Sequence, residues 1–198
     1  MAPPAEPPLT GPNAEEPIVA IVSALRSAGT AWALIGAAAR NAWAPPRLTT
    51  DLDVAVAGGP EEYARVAAAL ALLGYRAARA HRSGPQDEVP AVTIFRDEAA
   101  PPGYRQVDVL VAGTDFERQA IARAVERPLG AVTAPVVTRE DLIVYKLIAW
   151  RPRDRQDVHD VLATARAAGV AIDLGHLRHW AAEWDVAALL EAALAGEE

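Results

Sequence analysis

The chain contains no cysteine, which excludes disulfides and thiolate-held metals and says nothing further about compartment. It contains one lysine, Lys146, beside eighteen arginines; a lone lysine in so arginine-rich a chain stands out. No apolar run is long enough to cross a bilayer: the longest uncharged stretch, residues 27–39, is too short and carries glycines. The opening "MAPPAEPPLTGPNAEEP" lacks the basic and apolar regions of a secretory signal. Its proline density predicts a disordered tail over residues 1–13. Cytoplasmic is therefore the expected location, with no membrane partner. The net charge of -7 excludes a surface that coats nucleic acid generally, so any such contact must be local. There is no GxxxxGK, no HExxH and no GxSxG, which removes P-loop, zincin and serine-hydrolase chemistry. His176 and His179 lie three apart but have no third ligand nearby and read as surface or core residues.

What is present describes an ordinary globular protein: 198 residues, 52% hydrophobic and 23% charged, enough for one domain or a core with a small appendage. Ile18, Ile21, Val22 and Leu25 recur at helical spacing over residues 14–28, with Gly29 as the stop. "AWALIG" (31–36) reads as a short buried strand, and Gly36 opens a helix that ends at Pro45. An aspartate-bearing strand, a helix over 60–73 and three strands (75–80, 89–96, 106–111) follow. A helix over 115–126 and a strand over 131–137 complete a core of residues 14–137. Residues 138–198 read as a helical unit: 139–150, 154–168 and 173–194, the last broken near Asp185. Strands so closely spaced must pair antiparallel in part, so the expected fold is α/β (α+β) with a mixed sheet. No internal repeat is visible.

The chemistry begins in "RLTTDLDVAV", residues 47–56. Leu52, Val54 and Val56 alternate with Asp51, Asp53 and Ala55, so one strand face carries both carboxylates. Two aspartates on one face repel unless a cation sits between them. A divalent metal meets that need; an edge strand with a solvated acidic face is the alternative. "RQVDVLVAG" supplies a third aspartate, Asp108, on a strand whose other face is valine. Three hard oxygen ligands suit Mg²⁺, which shares its shell with substrate phosphates, and paired ions support phosphoryl transfer. "LIGAAARNAW" is a strand, a glycine turn and a helix start, whose free N–H groups attract phosphate. Further on, Asp154, Asp157, Val158, Val161, Leu162 and Ala165 form one helical stripe. Its two aspartates point to the edge of the core, although Asp154, two residues after Pro152, also suits a helix cap. Arg151, Arg153 and Arg155 suit a solvated surface turn, with contact to a polyanion as the alternative. The five tryptophans, Trp32, Trp43, Trp150, Trp180 and Trp184, read as packing.

Strand, Gly36, helix, then Arg47-x-Thr-Thr-Asp51-x-Asp53, then Asp108 resembles the nucleotidyltransferase fold of the DNA polymerase β superfamily. "TREDLIVYKLIAWRPRDRQDVHDV" is similar to the lysine-plus-aspartate signature of AbiEii-type nucleotidyltransferase toxins. The resemblance covers roughly residues 14–162. It implies a nucleotidyltransferase fold and a Mg²⁺-dependent enzyme moving a nucleoside monophosphate from an NTP to an acceptor hydroxyl. The acceptor would be RNA or protein, with a cognate antitoxin as partner. It implies Asp51, Asp53 and Asp108 as catalytic ligands of two Mg²⁺ ions. Nucleotide binding would fall to Gly36, Ala37, Arg47, Thr50, Lys146, Asp154 and Asp157. The family has Gly-Gly or Gly-Ser where this chain has Gly36-Ala37; alanine keeps the N–H but lacks a hydroxyl. Two alternatives follow: a small-molecule (antibiotic) nucleotidyltransferase, and a non-catalytic nucleotide-binding or interaction module.

Overall fold

The computed structural model describes residues 15–82, 90–100 and 104–196; the expected tail over 1–13, the start of the strand expected at 89 and part of the "DEAAPPGY" turn lie outside them. Among the described residues seven strands form one sheet: β1 (Trp32–Leu34), β2 (Asp51–Val56), β3 (Arg76–His81), β4 (Val92–Arg96), β5 (Gln106–Val111), β6 (Val125–Leu129) and β7 (Val132–Val136). Their order is β3-β4-β5-β2-β1-β7-β6. β2 pairs with β5, and β1 with β7, in parallel; every other neighbour is antiparallel. The sheet is therefore mixed, as the strand spacing requires.

Eight helices accompany these strands among the described residues: α1 (Glu15–Ser27), α2 (Gly36–Trp43), α3 (Pro60–Leu72), α4 (Asp115–Ala122), α5 (Arg139–Ala149), α6 (Pro152–Ala167), α7 (Leu174–Glu183) and α8 (Ala187–Ala195). Their starts are written locally. Thr114 and Glu117 form a reciprocal capping box at α4, and the Thr138 hydroxyl accepts from the Asp141 N–H at α5, each satisfying an orphan donor. Pro60 and Pro152 occupy the first helical positions of α3 and α6, where their fixed φ suits the helix. None of the described helices is long and apolar enough to cross a membrane.

Two sheet faces divide the labour. Leu52, Val54, Val107, Val109 and Phe95 are buried on one face, where α3 docks through a 3.0 Å hydrogen bond between the Tyr63 and Thr93 hydroxyls. The other face carries Asp51, Asp53 and Asp108 and receives α2. α5 and α6 then pack against α2 and each other, burying Leu142, Ile143, Leu147, Val158, Val161 and Leu162. At about 25 cal/mol per Å² of buried apolar surface, such side chains dominate the stabilisation.

One element differs from expectation. Residues 123–126 were expected to continue α4, but the helix ends at Ala122 and β6 begins at Val125. "VERPL" carries two charges and a proline, a composition suited only to an edge strand. β6 is such an edge: it pairs with β7 alone. Arg26 clasps its Glu126 at 2.9 Å, and Arg127 lies 4.6 Å over the Trp43 ring.

Candidate active site

Register brings the three aspartates together. β2 and β5 lie side by side with Asp53 opposite Asp108 and Asp51 opposite Gln106. Opposed residues share a face, so all three carboxylates project to one side. An oxygen from each lies within 4.8 Å of the others. Among the described residues, Asp108 Oδ1 is buried with no hydrogen-bond partner. Burial, and then the charges of Asp51 and Asp108, push the Asp53 carboxyl up to about 6. Burial raises Asp108 as well, against the opposing pull of Gln106 and Arg96. Mutual repulsion of this kind favours a cation between the carboxylates, and the all-oxygen donor set fits a hard divalent metal.

Gly36 makes the cluster possible. Its φ of +60° is left-handed, and a Cβ there would occupy the space of the Asp53 carboxylate. The Asp53 carboxylate accepts a hydrogen bond from the Ala37 N–H, and the Ile35 N–H donates to the Asp53 carbonyl at 3.0 Å. The glycine turn thus positions Asp53 directly. Thr49, which sequence reasoning passed over, is buried and donates to Asp51 Oδ1 at 2.9 Å. Asn41 exchanges two hydrogen bonds with the Arg47 backbone, at 2.8 and 3.0 Å, fixing the loop that leads into β2.

A cleft of about 770 Å³ opens in front of the carboxylates, and it is lined by Gly36, Ala37, Arg47, Thr50, Lys146 and Asp154 as well. Opposite the acids stands a cationic wall. Lys146 is buried and reaches Asp154 and Asp157, each at 2.8 Å. Its charge reaches across to lower Asp53, and Arg151 likewise feels Asp53 and Asp51. Arg151 and Arg153 are exposed, as a solvated turn requires, and they also line this cleft, where a polyanion could meet them.

Asp157 is the one expected nucleotide-binding residue that the cleft does not reach. It is 1% exposed and lies behind Lys146 and Arg47. Arg47 grips it bidentately at 2.9 and 2.8 Å, and Arg40 approaches at 3.4 Å. Burial alone would raise its pKa, but the hydrogen bonds from Arg47 and Lys146 hold it below the ordinary carboxylate range. Asp154 is also held low against burial, by Arg151 and Lys146. It sits at the third position of α6, not at the cap, and accepts from the Arg151 N–H at 3.1 Å. Capping and cleft roles therefore coexist in Asp154. Arg40 gave no periodic signal in its alanine-rich helix; it is 3% exposed and also pairs with Asp160 and the Pro45 carbonyl.

The turn between α5 and α6 sets these partners. Trp150 is left-handed (φ 39°) with its N–H on the Lys146 carbonyl at 2.8 Å, an uncommon conformation for a bulky residue. It reverses the chain within two residues, so that Lys146 meets Asp154. Arg155 covers the Trp150 ring at 5.3 Å. His176, far from this cleft in the sequence of elements, meets buried Asp141 at 2.6 Å and ties α7 to α5.

The fold has counterparts among solved structures. The solution structure of the antibiotic-resistance factor ANT(2'')-Ia aligns with a TM-score of 0.53 at 13% identity, over 91% of this chain and 92% of that one. ANT(2'')-Ia crystallised with adenylyl-2''-tobramycin aligns at 0.54 and 14% identity, over 85% and 94%. MenT4, a nucleotidyltransferase toxin from Mycobacterium tuberculosis H37Rv, gives 0.49 and 15% over 85% of this chain and 62% of that one. The ANT(2'')-Ia alignments show a shared nucleotidyltransferase fold. No curated protein sequence matches the chain. The model of the family "nucleotidyl transferase AbiEii toxin, type IV TA system" matches residues 21–193, nearly the whole of the fold just described, and the chain accordingly belongs to that family and is a nucleotidyltransferase.

Proposed function

We propose that the protein transfers a nucleoside monophosphate from an NTP to an acceptor hydroxyl with Mg²⁺, as the toxin half of a toxin–antitoxin pair in the cytoplasm. The observation that carries this reading is the meeting of three carboxylates, with oxygens within 4.8 Å, across one cleft from Lys146, Arg151 and Arg153. Asp51, Asp53 and Asp108 would hold two metal ions. Bound there, these would neutralise phosphate charge and lower the pKa of the acceptor hydroxyl.

The residues of the chain divide the remaining work. Thr49 and Gly36 fix Asp51 and Asp53 in place. The triphosphate lies along the cationic wall, where Lys146, Arg47 and Arg151 orient it beside the Gly36–Ala37 turn and Thr50. Asp157 holds Lys146 and Arg47 in position from behind, and Asp154, at the cleft wall, holds Lys146 and Arg151. The acceptor oxygen attacks the α-phosphorus, the bond to the pyrophosphate oxygen breaks, and pyrophosphate leaves. The acceptor proton departs towards Asp108. Positioning and charge neutralisation supply most of the rate, as in other phosphoryl transfers. Ala37 does not argue for a dead site, because its contribution is a backbone N–H, which alanine retains.

The test is incubation with each of the four α-labelled NTPs, Mg²⁺ and a cell extract. Label should pass to an RNA or protein acceptor. No transfer, together with no Mg²⁺-dependent NTP binding by calorimetry, would replace this reading with that of a non-catalytic module.

A further inference from the structure

Asp157 is met by more positive charge than its ionisation requires. Arg47 and Lys146, at 2.8 and 2.9 Å, already hold its carboxyl low. Arg40 is a third cation against the same carboxylate, with its Nε 3.4 Å from Asp157 Oδ1. That nitrogen is buried and has no hydrogen-bond partner among the described residues. The contact therefore acts through charge and not through bond geometry.

Arg40 comes to this place from the glycine turn. It stands one helical turn after Gly36 on α2 and is 3% exposed. It is absent from the walls of the cleft, so it cannot touch a ligand bound there. Its terminal nitrogens donate to the Pro45 carbonyl and to Asp160. Asp160 is partly exposed and also accepts from Gln156 at 2.8 Å. The charges in contact through this network do not balance. Arg40, Arg47, Lys146 and Arg151 are four cations, and Asp154, Asp157 and Asp160 are three carboxylates. One positive charge is left over, and it falls to Arg47, Lys146 and Arg151, the members that line the cleft.

We propose that Arg40 is a positioning residue for the triphosphate: it meets Asp157 from behind and so leaves the charge of Lys146 and Arg47 to the ligand in the cleft. The inference rests on the nucleotidyl-transfer reading above for the identity of that ligand. Without Arg40 the network holds three cations against three carboxylates, and Asp157 takes its whole counter-charge from Lys146 and Arg47. Those two side chains are then held back by Asp157, and a polyphosphate meets a neutral wall. The same logic gives Asp160 the opposite effect. Its carboxylate competes with Asp157 for Arg40, so removing it enlarges the positive surplus.

Lys146 supplies the readout: as the only lysine, it gives one side-chain NMR signal in protein grown with ε-¹³C-lysine. The experiment titrates Mg²⁺–pyrophosphate into full-length wild type, Arg40→Met, Arg40→Lys and Asp160→Asn, following that signal and measuring affinity by calorimetry. In wild type the signal should shift on binding. Arg40→Met should weaken the affinity about tenfold, Arg40→Lys should recover most of it, and Asp160→Asn should tighten it. A role in packing alone would weaken binding in Asp160→Asn as in Arg40→Met, so the opposite signs separate charge from structure. Equal affinity in wild type and Arg40→Met would overturn the proposal, as would unchanged or weaker binding in Asp160→Asn, or no binding by wild type. Should Arg40→Met fail to fold, the sign of the Asp160→Asn change decides alone. Wild type that binds pyrophosphate in this Arg40-dependent way but transfers no label from any NTP would instead refute the catalytic reading and leave the role of Arg40 standing.

Discussion

Replacing Asp53 with asparagine should stabilise the metal-free protein while abolishing its response to Mg²⁺. The Asp53 carboxyl rises from 3.8 to about 6, first through burial and then through Asp51 and Asp108. At 1.36 kcal/mol per pH unit, that gap is worth about 3 kcal/mol between the two protonation states. Residual solvation and relaxation in the variant reduce the gain to about 1–2 kcal/mol, or roughly 3–6 °C in Tm for a chain of this size. Asparagine keeps the shape and can still accept from the Ala37 N–H, so little packing is lost. The sign follows from linkage. A folded pKa above the unfolded one means that the folded state binds more protons between 3.8 and about 6, so wild-type stability falls as pH rises through that window. Scanning fluorimetry without metal should therefore show Asp53→Asn above wild type at pH 7.5, with the difference vanishing near pH 4. Adding Mg²⁺ should raise the wild-type Tm by mass action and leave the variant unmoved. A variant less stable than wild type at pH 7.5, or one with an undiminished Mg²⁺ shift, would refute the reasoning.

Gly36→Ala forces a left-handed alanine, at roughly 1–2 kcal/mol, and drives its Cβ into the Asp53 carboxylate; a lower Tm and loss of Mg²⁺-dependent NTP binding are expected, and wild-type binding affinity in calorimetry would contradict this account of the turn. Asp157→Asn leaves Lys146, Arg47 and Arg40 without their shared anion and should cost about 3–5 kcal/mol in urea unfolding at pH 7, whereas a loss below about 0.5 kcal/mol would mark Asp157 as an ordinary surface site. Because Asp157 is held below 3.8 in the fold, its stabilisation is full above that pH and fades as pH falls through the lower folded value. The difference between wild type and Asp157→Asn should therefore shrink in acid, and a gap that stays constant from pH 7 to pH 2 would count against the ion-pair network.

Some of this protein was written where its chemistry is local. Period-two alternation put Asp51 and Asp53 on one strand face, because successive strand side chains point oppositely whatever the neighbours are. Gly36 marked its turn because only glycine sits easily at positive φ. Thr138 and Thr114 cap helices that begin where the sequence placed them, because orphan N–H groups are a property of a few consecutive residues, whereas α6 begins at Pro152, two residues before the expected Asp154. Other features needed the tertiary structure. β6 pairs despite "VERPL" because an edge strand needs only one neighbour, and β7 provides it. That Asp108 opposes Asp53 is a matter of register between strands more than fifty positions apart. Asp157 could be seen to face inward, but its partners Arg40 and Arg47 come from α2 and the following loop, so only packing revealed that it buttresses the cleft from behind. Cross-strand pairing alone put Arg79 and Arg96 on the face of the carboxylates. Sequence determines which way a side chain points from its own element, and the fold decides what it meets there.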